Sequence, residues 1–360
     1  MAPLTAPPEV APPVPVDMVF TWVDGDDPVH RAKRRAFGEG GGRSAAAGAP
    51  PVPERWYFGV GEITASVRSV ARHLPWVRTI FVVTDAQAPP VDPGLIASGR
   101  VRLVDHEEIV PEAYRPVFAS TVIESFLHRI PGLSEIWLYD NDDLMHFGPA
   151  APEMFLRSGP GGGVALRLQA CLAVARHLLR TGSALMPPVV PRANPYTEGI
   201  ANAYRVLRSR ARVPWPEVLI PRHVTQVYRT STAVRLEEDL ADVLHASRSL
   251  RVRSRRQLSW GTLAYTMERR WHPEDEVRLW RPFDRSGELG IFDFLHCRIP
   301  GSCERRWTAV DTSRAPLACL NNVPVFERER FWDAMRRQGL GDPLEGTPGT
   351  PEPAGRAAAP

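Results

Sequence analysis

Four short apolar runs, each closed by acidic residues, constrain this chain more than any other feature. They are Met18–Val23 before Asp24, Thr79–Thr84 before Asp85, Val101–Val104 before Asp105, and Glu135–Tyr139 before Asp140, Asn141, Asp142 and Asp143. Apolar runs of this length suit strands buried on both faces. Between the first two, Glu62–His73 carries apolar residues at helical spacing and stops before Pro75. Between the last two, Ser120–Arg129 repeats the pattern and stops before Pro131. Alternating strands and helices predict an α/β fold with a mostly parallel central sheet.

In such sheets ligands bind beyond the carboxyl ends of the strands. The strand-end acids are therefore expected to converge on one cleft. Their mutual repulsion calls for a divalent cation or a cationic substrate to compensate it. Three acids within four residues, Asp140, Asp142 and Asp143, make the fourth strand end the richest candidate.

The second half shows helical spacing at Ala201–Arg210, Arg235–Ser247 and Leu258–Arg270, with Arg-rich patches throughout. The organisation expected is a Pro-rich disordered lead over 1–15 and a nucleotide-binding half over 16–165 with a flexible Gly/Ala/Pro loop at 38–53. A second half, 166–338, completes the domain, and a mobile tail covers 339–360.

Composition removes several alternatives. A net charge of +3 gives no bulk reason to bind nucleic acid. Lys33 is the only lysine, so a lysine elsewhere cannot serve phosphate chemistry, and no GxxxxGK[ST] loop occurs. Four cysteines, Cys171, Cys297, Cys303 and Cys319, are too few and scattered for a disulfide framework and are expected as buried thiols. The opening residues lack a basic and apolar leader, and no apolar run reaches the ~20 residues that span a bilayer, so a cytoplasmic protein is expected.

The run Asp17-Met-Val-Phe-Thr-Trp-Val-Asp-Gly-Asp-Asp-Pro28 resembles the opening signature of the Stealth family of sugar-phosphate transferases. The likeness continues through Gly61-Glu62, 66–89, 101–111 and 118–148, in order and at near-correct spacing. The segment Pro221–Arg229 resembles the third signature, Leu250–Ser254 the Arg-bearing segment after it, and Cys319-Leu-Asn-Asn-Val323 the final one. The family includes bacterial capsule and exopolysaccharide enzymes and the animal lysosomal-targeting phosphotransferase.

The resemblance implies a Rossmann-like nucleotide-sugar transferase fold, with helical additions from the second half. It implies contacts to the nucleotide-sugar from Asp17, Trp22 and Asp24, and places Ser120 and Glu124 at the mouth of the cleft. Asn141, Asp142 and Asp143 match an N-D-D motif, Asp142 and Asp143 being expected both as catalytic carboxylates and as holders of Mg2+ or Mn2+. His223 and Arg253 are the matching catalytic residues, with Arg251 an alternative to Arg253; Asn321 and Asn322 are the final contacts.

Two departures stand out. The acid expected after Cys-x-Asn is Asn322, and the acidic pair expected after Arg253 is Arg256 and Gln257. The implied reaction moves a hexose-1-phosphate from a UDP-sugar donor to a glycan acceptor, peripheral to the inner membrane face. A conventional nucleotide-sugar glycosyltransferase and a silent glycan- or nucleotide-binding relative are the alternatives. Phosphoryl transfer asks the protein to neutralise a diphosphate and align a hydroxyl. Arg253 and the metal suit the first task; His223 or an aspartate suits the proton transfer.

Overall fold

The computed structural model describes residues 12, 14–39, 59–172, 195–279, 289–293, 303–313, 315–321, 323–342 and 344. Most of the expected lead, most of the 38–53 loop and most of the tail lie outside the described residues, as does Asn322.

In chain order the elements are β1 (Val16–Thr21), α1 (Pro28–Glu39), α2 (Glu62–His73), β2 (Ile80–Thr84), α3 (Pro93–Ala97), β3 (Val101–Asp105), α4 (His106–Ile109), α5 (Ser120–Glu124) and β4 (Ile136–Asn141). Then come β5 (Leu144–His146), β6 (Leu156–Ser158), β7 (Val164–Leu172), α6 (Pro195–Ala211), β8 (Leu219–Pro221), β9 (Gln226–Arg229), α7 (Thr230–Asp239), α8 (Ala241–Arg248) and α9 (Trp260–Trp271). The last are β10 (Glu276–Leu279), β11 (Leu289–Asp293), α10 (Glu304–Thr312), β12 (Leu317–Asn321) and α11 (Arg328–Arg337).

The central sheet runs β3-β2-β1-β4-β9. Its first four strands are parallel and β9 is antiparallel to β4. Strands β1 and β2 are almost wholly buried, as expected when helices cover both faces. Ile63, Val67 and Val70 of α2 supply one covering stripe, and the helix stops at Leu74, just before Pro75. Gly61, at φ 101°, makes the left-handed entry into α2 that a side chain would strain.

Two smaller sheets mix the halves of the chain. β7 pairs with β6, β8 and β10, and β12 joins β5 to β11. The second half thus adds strands as well as helices. The helix expected over Arg235–Ser247 is two helices, because Leu240 leaves helical geometry at φ −125°, ψ 26°. The one expected over Ser120–Arg129 is the single turn α5 followed by a 3-10 turn at Leu127–Arg129, with the wholly buried Phe126 between them.

Strand order reverses at β1: β2 and β3 lie on one side and β4 on the other. The carboxyl ends of β1 and β4 therefore flank the crevice where such sheets take their ligands. No helix among the described residues is long and apolar enough to cross a membrane.

Candidate active site

Thr21 and Asn141, the last residues of β1 and β4, are register partners across that crevice. From them runs a line of polar contacts. Thr21 Oγ1 lies 3.0 Å from the buried Tyr139 hydroxyl, which donates to Asn141 Oδ1 at 2.9 Å. Asn141 Nδ2 lies 3.3 Å from His223 Nδ1, and His223 Nε2 lies 3.5 Å from Asp143 Oδ2. Cys319 Sγ–H donates to the same Asp143 oxygen at 3.6 Å. Residues from β1, β4, the β8–β9 connection and β12 thus meet at one sheet edge.

Backbone contacts fix the acidic turn. Ser66 of α2 donates its hydroxyl to the Asp142 carbonyl at 2.6 Å, and Leu320 N donates to the Asp143 carbonyl at 2.9 Å. Behind it, buried Asp140 Oδ2 sits 3.3 Å from His146 Nε2, which is 3.2 Å from Thr225 Oγ1. That contact ties the strand carrying Asn141 to the segment carrying His223.

The second wall comes from α5. Arg253 Nη2 donates to Ser120 Oγ at 3.3 Å. Glu124, one turn along α5, is pushed up to about 7 by burial, which outweighs the opposing charges of Arg253 and His223. Arg251 instead reaches the carbonyls of Arg115 and Ala113, bracing the loop while Arg253 faces the site. Gln257, where an acid was expected, donates to the Leu250 and Val252 carbonyls at 2.6 and 3.0 Å. It shapes the loop that presents Arg253; Arg256 is exposed.

The charges behave as a crowded anionic cluster. Burial raises Asp142 well above the usual carboxylate range, and Asp143 and Glu62 push it further. Glu62, at the start of α2, is raised to about 7 by burial and Asp143, despite accepting from the amides of Val60 and Gly61 at 2.7 and 3.1 Å. Burial disfavours a charged His223, but its contact with Asp143 outweighs that and raises its pKa. Its side chain is 39% exposed, against 18% for Asp143.

The acids offer oxygens of the kind a divalent cation takes. Asp142 and Asp143 are consecutive in the turn after β4, and Asp143 Oδ1 is a buried oxygen with no hydrogen-bond partner among the described residues. Buried anionic oxygens ordinarily have a partner.

Several expectations need correction. Asp17 lies at the opposite end of β1. Its wholly buried carboxylate accepts from Arg78 Nε and Nη2 at 2.9 and 2.6 Å, Thr79 N at 3.1 Å, and Ser134 N and Oγ at 2.7 and 2.8 Å. Those bonds join the amino ends of three strands and leave nothing for a nucleotide-sugar. Trp22 is a core side chain, 8% exposed.

Nor do all strand-end acids converge. Burial opposes ionisation of Asp85, yet His30, His106 and Lys33 hold it at about 2. Asp105 caps α4 in a capping box with Glu108. Asp24 stays in the loop after β1, joined to Gln87 by bonds of 2.8 and 2.9 Å. Cys303 is disulfide-bonded, where a thiol was expected. Asn321 ends β12.

What sequence reasoning did not assign is Glu62, Tyr139 and Cys319. Glu62 and Cys319 sit inside quoted signatures, so a signal existed. Tyr139, inside an apolar strand, reads as core.

Residues 14–42 match Stealth protein CR1, conserved region 1, and residues 57–161 match Stealth protein CR2, conserved region 2. The chain carries two conserved regions of the Stealth family. Ser120, Glu124 and Asn141–Asp143 fall inside the second Stealth region; His223, Arg253 and Cys319 lie outside both.

Capsular polysaccharide phosphotransferase cps1A of Actinobacillus pleuropneumoniae is 40% identical over 130 residues, 36% of this chain and 35% of that protein. Exopolysaccharide phosphotransferase SCO6023 of Streptomyces coelicolor is 41% identical over 145 residues, 40% of this chain and 23% of its own length. Receptor polysaccharide phosphotransferase WefC of Streptococcus oralis is 39% identical over 141 residues, 39% and 41% of the two chains. The chain thus spans between about a fifth and two fifths of these curated relatives. Among solved structures, an active-site mutant of LgtC covers 90% of this chain and 94% of its own at 10% identity, with a TM-score of 0.42.

Proposed function

We propose that this Stealth chain transfers a hexose-1-phosphate from a UDP-sugar to a hydroxyl of a glycan acceptor, forming a phosphodiester in capsule or exopolysaccharide synthesis. The observation that carries the reading is the meeting, at the β1/β4 crevice, of the Asn141–His223–Asp143 line with Arg253 and Glu124. Its relatives are named capsular and exopolysaccharide phosphotransferases, which supports it.

The acceptor oxygen attacks the phosphorus bonded to the sugar, a P–O bond forms, and the bond to UMP breaks. Arg253 offers a fixed fork to the diphosphate oxygens, and its bond to Ser120 orients it. Both ring nitrogens of His223 are engaged, by Asn141 and Asp143. Glu124, held near 7, is the group suited to taking the hydroxyl proton at neutral pH. Asp142 and Asp143 would hold a divalent cation, which supplies further neutralisation of the phosphates; their acids alone point to Mg2+ or Mn2+.

The test is incubation with a panel of UDP-sugars, a divalent metal and acceptor oligosaccharides. UMP and a phosphodiester-linked product are expected. Release of UDP with a plain glycoside would move the attack to the sugar carbon and overturn the proposal, and so would donor binding with no product from any acceptor.

A further inference from the structure

The reading above leaves Cys319 without a task, although its thiol lies at the centre of the site. We propose that Asp143, His223 and Cys319 form a three-ligand site for a thiophilic divalent cation of the Zn2+ class, with one coordination position open. The proposal rests on the phosphotransferase reading only for what the cation does there, and it replaces the oxygen-bound ion that the acids alone suggest.

Spacing is the first support. One ligand atom from each residue lies within 4.8 Å of the other two. Asp143 Oδ2 is 3.5 Å from His223 Nε2 and 3.6 Å from Cys319 Sγ. A tetrahedral ion with bonds of about 2.0 Å to N and O and about 2.3 Å to S sets its ligand atoms roughly 3.3–3.6 Å apart. Two edges of the ligand triangle are at that length already. The third, between His223 and Cys319, is within 4.8 Å, and His223 is the exposed member of the trio.

Rigidity is the second. Cys319 pairs with Leu144 across β12 and β5, and Leu320 N donates to the Asp143 carbonyl. The thiol is thus held on a strand, and the turn that carries the carboxylate is bonded to that strand. Leu144, Val224 and Leu317 pack around the wholly buried Cys319, an apolar floor that suits a soft sulfur ligand and strengthens attraction to a cation.

Outer support is the third. A ligating imidazole normally engages a second group through its other nitrogen. Asn141 occupies that position at His223 Nδ1, and Tyr139 and Thr21 hold Asn141. With the cation on Nε2, the proton sits on Nδ1 and a half-turn of the Asn141 amide presents its oxygen. Tyr139 can then accept from the amide nitrogen and donate to Thr21. Three protein ligands with the fourth position open is the arrangement of catalytic, not structural, zinc sites.

The experiment is a Co2+ titration of the purified, chelator-stripped full chain, followed by absorbance. Thiolate ligation gives a near-ultraviolet sulfur-to-cobalt charge-transfer band. One equivalent of Co2+ should develop it, Zn2+ should displace it, and excess Mg2+ should not. C319S should lose the band and bind Co2+ at least about tenfold more weakly, while C171S keeps both. H223Q should retain the band at reduced affinity, which covers the case in which C319S fails to fold. No band in wild type, or unchanged Co2+ affinity in C319S, overturns the proposal. The readout needs no substrate, so a full band with no UMP release would sink the proposed activity and leave the metal site standing; UMP release with Mg2+ and no band would do the reverse.

Discussion

The Tyr139 hydroxyl bridges the ends of β1 and β4, 3.0 Å from Thr21 Oγ1 and 2.9 Å from Asn141 Oδ1. A buried tyrosine of a core strand thereby orients the amide that touches His223. Y139F keeps the ring packing and removes only the bridge. It should cost about 1 kcal/mol of stability and lower kcat about tenfold, with little change in donor KM. Denaturant melts and steady-state kinetics check both.

Arg251 and Arg253 are two residues apart and do different work. Arg251 braces backbone carbonyls, whereas Arg253 bonds to Ser120 at the crevice. R253A should lose about 10²–10³ in kcat/KM at nearly unchanged Tm, by analogy with removing one fixed donor to a developing oxyanion. R251A should lower Tm with a smaller kinetic effect. Equal kinetic losses in the two variants would argue against the assignment.

Glu124 makes a pH-dependent prediction. Its folded pKa, about 7, exceeds the ordinary 4.5, so ionising it costs more in the fold than in the unfolded chain. That penalty is absent below about 4.5, grows between 4.5 and 7, and is complete above 7. E124Q should therefore be more stable than the parent above pH 7, by about 2 kcal/mol after allowing for solvent access, and no more stable below pH 4.5. The same variant should lose about 10²–10⁴ in kcat as a missing proton acceptor. Melting curves across that pH range read the first effect and UMP release the second.

Asp17 separates structural from catalytic importance. D17A leaves the buried Ser134 amide and hydroxyl without their acceptor, while the half-exposed Arg78 keeps the Gly132 carbonyl and solvent. It should cost about 1–3 kcal/mol, while protein that remains folded keeps the parental donor KM. A raised KM without a stability loss would restore the nucleotide-contact reading.

The strands and α2 were legible because burial on both faces leaves uninterrupted apolar runs, and α2 shows its stripe between a left-handed glycine and a proline. The Asn141–Asp143 turn was legible because clustered acids after a strand have no apolar explanation. Asp17 misled because a buried anion with five donors and a ligand-binding acid look alike in one dimension. Asp85 misled similarly: its partners His30, Lys33 and His106 come from two distant segments. Tyr139 and Cys319 were hidden for the opposite reason. Each reads as ordinary core until the fold shows a hydroxyl at a crevice and a thiol beside a carboxylate.

The interleaving of late strands with early ones bears on protein engineering. β9 covers the outer edge of β4, β12 covers β5 and β7 pairs with β6, so residues 14–161 leave three strands without a partner when taken alone. A donor-specificity swap that grafts only that block onto a related scaffold must also match the recipient's late strands in length and register. Splicing the early block together with its covering strands is the graft that keeps those three strands paired.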